Sequence, residues 1–371
     1  MSSARTLPTP KQAPTVLRER TRDLHPGWFA SVMGTGILAV ATYGNPGGWE
    51  ALTGAAHLFG AALAVLAYIL GGLLLGGYGV RWARHASAAM ADFRNPVKGA
   101  MHATLPGGLL VLAVMTSVVG PTLIPGPAAV SVIAVLAVLG GVLAVVMGVG
   151  FAYILITGDP PAASANGGWF IPPVVTIIIP MVLTPLAAHA DHGTAGFLVA
   201  AGYAFYGMGF LLFLLTLGLV YDRLILHPLP PATLAPSVWI GLGPIGVATL
   251  APLALAKAGA PIWGEAAVAV SLVTQIASTA VWGFGLWWLA LVAALLVRYR
   301  RNDAIPFHLG WWAFVFPLGA YTVASLAIAR MWHSPILEGG AVLLYLGLVC
   351  AWVIVTARSI AGIRSGRIWS S

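Results

Sequence analysis

The chain has 371 residues, of which only 8% are charged and 59% are hydrophobic. A soluble domain carries about 25% charged residues because its surface faces water, so this composition excludes an ordinary soluble protein and selects one large membrane domain. The net charge of +8 could be read as nucleic-acid affinity, but the basic residues sit in short loops between apolar runs, as on the cytoplasmic side of a membrane protein.

The first 24 residues are polar and basic and contain Pro8, Pro10 and Pro14. They have no apolar core ending in a small-residue cleavage site, which predicts a disordered cytoplasmic tail rather than a signal peptide. Apolar runs then follow at 28–43, 51–76, 104–119, 128–157, 169–189, 194–226, 235–257, 266–298, 309–331 and 337–363. A helix needs about 20 apolar residues to cross the hydrocarbon core. Stretches such as Ala128–Gly150 do not alternate as barrel strands would. The expectation is an all-α membrane protein of ten transmembrane helices, with one transport domain over 25–363 and a short tail over 364–371.

Ten spans put both termini on one side. That side collects the tail residues Arg5, Lys11, Arg18, Arg20 and Arg22, the second loop with Arg81, Arg84, Arg94 and Lys98, and Arg223. It also collects Arg298, Arg300, Arg301, Arg358, Arg364 and Arg367, leaving only Lys257 and Arg330 opposite. The split predicts a multi-pass protein of the inner (plasma) membrane with both termini cytoplasmic.

The spans alternate in character. Even-numbered ones are long and aliphatic. Odd-numbered ones carry glycine and proline: Gly34-Thr35-Gly36 in the first, Pro106-Gly107 in the third, Pro180 in the fifth, Gly243-Pro244 in the seventh and Pro317 in the ninth. In three of them a tryptophan precedes the glycine or proline by five or six residues. The pattern predicts five helical hairpins, with the interrupted helices inside around a central pore and the smooth ones facing lipid. Close helix packing through small residues is the plainer explanation of the glycines.

The interior offers no carboxylate at mid-span depth, so a proton relay is not expected. His57 is shallow and reads as packed or interfacial. Hydroxyls are available instead: Ser31, Thr35 and Thr42 share one face of the first span, and Thr322 and Ser325 lie on the ninth. Anions can be held by such hydroxyls and by backbone dipoles. Lys257 and Arg330 would raise the anion concentration at the outer mouth. The ten acids are scattered, with no clustered aspartates for magnesium and no phosphate loop. Neither an intramembrane enzyme nor a primary pump is therefore expected, and no cofactor, metal or nucleic-acid partner is called for.

Four segments in order, His25-Pro-Gly-Trp-Phe-Ala-Ser-Val-Met-Gly-Thr-Gly36, Trp239-Ile-Gly-Leu-Gly-Pro244, Gly283-Phe-Gly-Leu-Trp-Trp288 and Trp311-Trp-Ala-Phe-Val-Phe-Pro317, resemble the tellurite-resistance/dicarboxylate transporter family. That family includes the bacterial tellurite-resistance protein, fungal malate permeases, fungal sulfite efflux pumps and plant guard-cell slow anion channels. The resemblance covers residues 25 to about 363, and the second and third segments look closer to the malate and sulfite branch. It implies transport of a small anion, C4-dicarboxylates such as malate first and sulfite as the alternative. It implies a homotrimer in which each subunit has its own pore, plugged by a phenylalanine of the ninth helix. Phe316 sits in the matching position; Phe314, two residues away, would point to a different face.

Overall fold

The computed structural model describes residues 21–302 and 305–366. Among these residues the regular structure is helical, with ten helices of fifteen residues or more and no strand. Five are short: α1 (Phe29–Tyr43), α3 (Thr104–Val119), α5 (Ile171–Ala187), α7 (Leu242–Trp263) and α9 (Phe316–Met331). Five longer ones alternate with them: α2 (Thr53–Phe93), α4 (Gly126–Gly158), α6 (His192–Leu226), α8 (Ala267–Asn302) and α10 (Pro335–Ser365).

Among the described residues, eight helical stretches are long and apolar enough to cross a membrane. The number differs from ten because α7 and α8 fall within one continuous stretch, Ala232–Asn302, and the stretch that holds α1 is not among the eight. At 1.5 Å per residue α4, with its 33 residues, reaches about 50 Å, whereas α1 reaches about 22 Å. The hydrocarbon core is about 30 Å thick, so the long helices tilt or project beyond it and the short ones fall short of it.

Each short helix packs on the long helix that follows it. The short helices also pack on one another in order, α1 on α3, α3 on α5, α5 on α7 and α7 on α9, and α9 returns to α1. They close a ring. Its seams are glycine contacts. A Cβ at Gly36 of α1 would lie 2.8 Å from Val111 Cγ1 of α3, and one at Gly246 of α7 would lie 2.6 Å from the Ala320 backbone of α9. The long helices face the ring with stripes of mostly small buried residues, such as Gly60, Ala64, Ala67 and Gly71 on α2, which let backbones approach closely. Their other faces expose Leu73, Val138, Leu215, Val273 and Leu343. A water-soluble surface does not carry an apolar belt of that size.

The interruptions expected in the odd spans take a different form. α1 runs unbroken through Gly34, Thr35 and Gly36. Pro106, Pro244 and Pro317 fall in the first turns of α3, α7 and α9, where a missing N–H costs nothing because those donors have no helical partner. Pro180 is inside α5. In the ninth span the break precedes Pro317: a 3-10 turn, Leu309–Phe314, stops at Val315 (φ −91°, ψ −65°) before α9 begins.

Two further expectations shift. The second span was expected to end at 76, but α2 continues to Phe93 with a non-helical residue, His85 (φ −137°, ψ 38°). Arg81 and Arg84 are therefore helical rather than in a loop. Of the expected N-terminal tail, residues 1–20 lie outside the described residues, as do 367–371 of the C-terminal one. Leu24 packs near Gly77 of α2, and the Arg22 carbonyl accepts from Arg81 Nε at 2.9 Å.

Candidate functional site

Three short helices are entered in the same way. His25-Pro-Gly-Trp-Phe29, Asn166-Gly-Gly-Trp-Phe170 and His308-Leu-Gly-Trp-Trp312 each form a 3-10 turn capped by the first side chain. His25 Nδ1 accepts from Gly27 N–H at 3.0 Å, Asn166 Oδ1 from Gly168 N–H at 2.8 Å, and His308 Nδ1 from Gly310 N–H at 3.0 Å. The cap satisfies a donor that the start of a helix leaves open. With Nδ1 accepting, the neutral ring carries its proton on Nε2. Burial and the nearby Lys98 ammonium push the His25 pKa down to about 4, and burial lowers that of His308. Both rings are thus held neutral. The indoles of two of these motifs tie down loops: Trp169 Nε1 donates to the Pro96 carbonyl in the α2–α3 connection and Trp311 Nε1 to that of Pro306 just before its own turn, both at 2.9 Å.

These lead-ins surround a cavity of about 960 Å³ at the N-terminal ends of the short helices. All three capping residues line it, with Met33 of α1, Thr104 of α3, Val174 of α5, Ile240 of the turn that precedes α7, and Phe316 and Pro317 of α9. Its charged lining residues are Arg22, Asp23, Arg81, Asp92 and Lys98, three positive against two negative.

Phe316 is 5% exposed, opens α9 and lines this cavity. A Cβ at Gly243 would lie 3.6 Å from its ring. Phe314 stands on the other side of the Val315 break. It packs edge-on between Trp239 and Trp311, with centroids 5.6 and 5.7 Å away, and lines a separate groove of about 770 Å³. The two rings face different spaces on either side of the Val315 break.

The remaining predicted residues divide. Gly34 and Gly107 serve as close-packing points: a Cβ at Gly34 would meet Val315 at 2.8 Å, and one at Gly107 would meet Met33 and Val175, each at 2.9 Å. The hydroxyl face of α1 turns to α10 instead of the ring axis. Thr35 Oγ1 accepts from Trp352 Nε1, and Thr42 pairs with the Tyr345 hydroxyl, both at 3.0 Å. Thr322 donates back to the Leu318 carbonyl at 2.7 Å, a common use of a helical hydroxyl. His57 stacks on Tyr43 at 4.2 Å.

Lys257 and Arg330 lie toward the C-terminal ends of α7 and α9, away from the cavity, and both are exposed. Arg330 is not a free cation. It donates to the Gly44 and Asn45 carbonyls at 2.8 and 3.1 Å and stands 3.6 Å from the Glu338 carboxylate. Sequence reasoning missed the capping residues, although the repeated Gly-Trp-aromatic triplet was their signal.

A ring closed by five short helices, wrapped by apolar ones and opening into a cavity with charged residues on its wall, suits the passage of a small solute. Residues 23–360 match the family described as the voltage-dependent anion channel, SLAC1. The protein belongs to this family. It is an anion channel or transporter by family, in keeping with the resemblance carried by the four motifs. An uncharacterized transporter of Methanocaldococcus jannaschii is 30% identical over 358 residues, 94% of this chain and 96% of that one. A second from the same organism is 28% identical over 348 residues, 94% of this chain and 97% of its own. The sulfite efflux pump of Trichophyton rubrum is 25% identical over 354 residues, 91% and 90% of the two chains.

Proposed function

We propose that the protein passes small anions along the axis of the α1–α3–α5–α7–α9 ring, and that Phe316 closes the path. The observation that carries the reading is the cavity, which α1, α3, α5, α9 and the turn leading into α7 line together with Phe316. In this reading the ten helices are ten crossings arranged as five hairpins around a pore. The cavity is the cytoplasmic vestibule, both termini are cytoplasmic, and Lys257 draws anions toward the outer mouth. The membrane is the cell's inner membrane. Three copies assemble, each with its own path; that part rests on family resemblance.

The leading substrate is a small oxyanion such as sulfite. A relative named as a sulfite efflux pump aligns over nine-tenths of both chains, which favours sulfite over the C4-dicarboxylates that the motifs suggested first. A pore closed by an apolar ring strips water from an ion with little in return, so opening must move or remove that ring. The test is flux through purified protein in liposomes, with sulfite, malate, chloride and nitrate assayed in parallel. Sulfite flux well above malate flux is the expected result. Malate flux above sulfite would restore the dicarboxylate assignment, and no flux of any of the four would sink the reading.

A further inference from the structure

The wall of the cavity formed by the end of α2 and the approach to α3 contains a group the transport reading does not use. Arg81 is 2% exposed. Its Nη2 donates to Asp92 at 2.5 Å and its Nε to the Arg22 carbonyl at 2.9 Å, but its buried Nη1 has no hydrogen-bond partner. Removing a guanidinium N–H from water without a partner is costly. Arg81 is not alone. Its guanidinium lies over the Tyr78 ring at 5.7 Å, and Tyr78 stands 6.3 Å from the His102 ring. The Tyr78 hydroxyl, which faces Arg81 and Trp82, and the His102 ring, which faces the Lys98 and Gly99 backbone, are also buried and make no well-aligned hydrogen bond. An arginine N–H, a phenol O–H and an imidazole N–H can all donate. Asp92 is the one carboxylate paired here, and it also faces Lys98 at 3.9 Å. The group therefore holds two cations and one anion, with the Arg81 Nη1 donor left over.

We infer that Arg81, with Lys98 beside it and Tyr78 and His102 behind it, forms a binding site for a small inorganic anion on the vestibule wall, short of Phe316. The inference rests on the cavity being the anion's entrance. The bound anion takes the free Nη1–H of Arg81 in a charge-assisted hydrogen bond and balances the second cation. Lys98 is partly exposed and stands where an anion arriving from solution is first attracted. The site raises the anion's concentration next to the constriction without holding it inside.

The probe is nitrate, titrated against gluconate at constant ionic strength, with the thermal midpoint of the full-length protein in detergent as the binding readout. Arg81→Gln alone would leave the half-buried Asp92 with only the more distant Lys98 as its cation, so the main variant is Arg81→Gln/Asp92→Asn, which removes both charges together. Wild-type protein should show a saturable rise in midpoint. The double variant should bind about ten-fold more weakly, the scale of one charge-assisted hydrogen bond. Tyr78→Phe and Lys98→Gln, which keep the Arg81–Asp92 pair, should each weaken binding by about three-fold; they decide the matter if the double variant does not fold. No saturable shift in wild type, or an unchanged constant in every folded variant, overturns the site. Nitrate flux in liposomes separates this from the transport reading: flux without the binding shift sinks the site alone, and binding without flux sinks the pathway alone.

Discussion

The inner ring and the outer shell reverse the usual relation between apolar character and burial. Gly126–Gly158, which holds α4, is the most apolar of the candidate spans, yet only 22% of its apolar window is buried; Leu309–Met331, which holds α9, is the least apolar and 78% buried. In water the most apolar helix would be the most buried. Here the shell is apolar because lipid lies outside it, so its helices need only a stripe of small residues to hold the ring. The ring is close-packed through glycine and carries the hydroxyls, the indole anchors and the cavity. The proposed path therefore runs in the ring, while the shell positions it and adds Arg81 of α2 to the cavity wall.

The sharpest way to break this comparison is to make one substitution in both layers. Gly246→Ala places a methyl 2.6 Å from the Ala320 backbone, and overpacking of this kind costs roughly 1–3 kcal/mol or more when backbone must move. Gly72→Ala on α2 meets nothing within 4 Å and should be neutral, or stabilising by up to about 1 kcal/mol, because glycine is the poorer helix former. Thermal midpoints of the two purified variants decide it. Equal effects would mean that the ring is not packed more tightly than the shell.

A smaller effect comes from the capping histidine. Unfolded, His25 takes up a proton near 6.5; folded, it does so only near 4. Its share of stability is whole above about pH 6.5 and is lost as pH falls from there toward 4, because protonation of Nδ1 breaks the cap on Gly27. Asn166 makes the same cap without titrating in that range. His25→Asn should therefore keep its midpoint at pH 7.5 and decline less steeply than wild type between pH 6.5 and 4.5. An unchanged slope would show that His25 is not the group that titrates.

The smallest effect is expected at the far mouth. Lys257 is exposed and makes no ion pair among the described residues, so Lys257→Gln should lower anion flux by about two-fold at low salt and by less at physiological salt. Arg330 is a poorer test, because its loss would also release the Gly44–Asn45 turn and Glu338. Flux through Lys257→Gln that matches wild type at low ionic strength would assign the lysine to headgroup contact alone.

Much of the ring and shell was legible in the residues. The third span was placed at 104–119 and α3 is Thr104–Val119, because loop chemistry brackets its apolar run on both sides. The end of the second span was not legible. Arg81 and Arg84 look like loop residues to any hydropathy reading, yet α2 continues because Arg81 finds Asp92 and the Arg22 carbonyl, contacts that no local pattern announces. The prolines were legible as special positions but not as first-turn residues, since that depends on where each helix begins. Thr35 misled for a similar reason. Helical spacing places it on a face, but only packing against Trp352 shows which neighbour that face meets.

The central claim is that anions pass along the ring axis and meet Phe316. The direct measurement is anion flux in proteoliposomes for Phe316→Ala and Phe314→Ala, each checked for folding by its thermal midpoint. The two residues are two positions apart, both aromatic, and face different cavities, so each controls for the other. A cavity left by either truncation costs about 3–5 kcal/mol at most, so stability alone should not separate them. The account predicts that Phe316→Ala raises flux of nitrate and sulfite at least ten-fold while Phe314→Ala leaves it within about two-fold of wild type. A folded Phe316→Ala protein with flux at or below wild type, or an equal rise in Phe314→Ala, would contradict it.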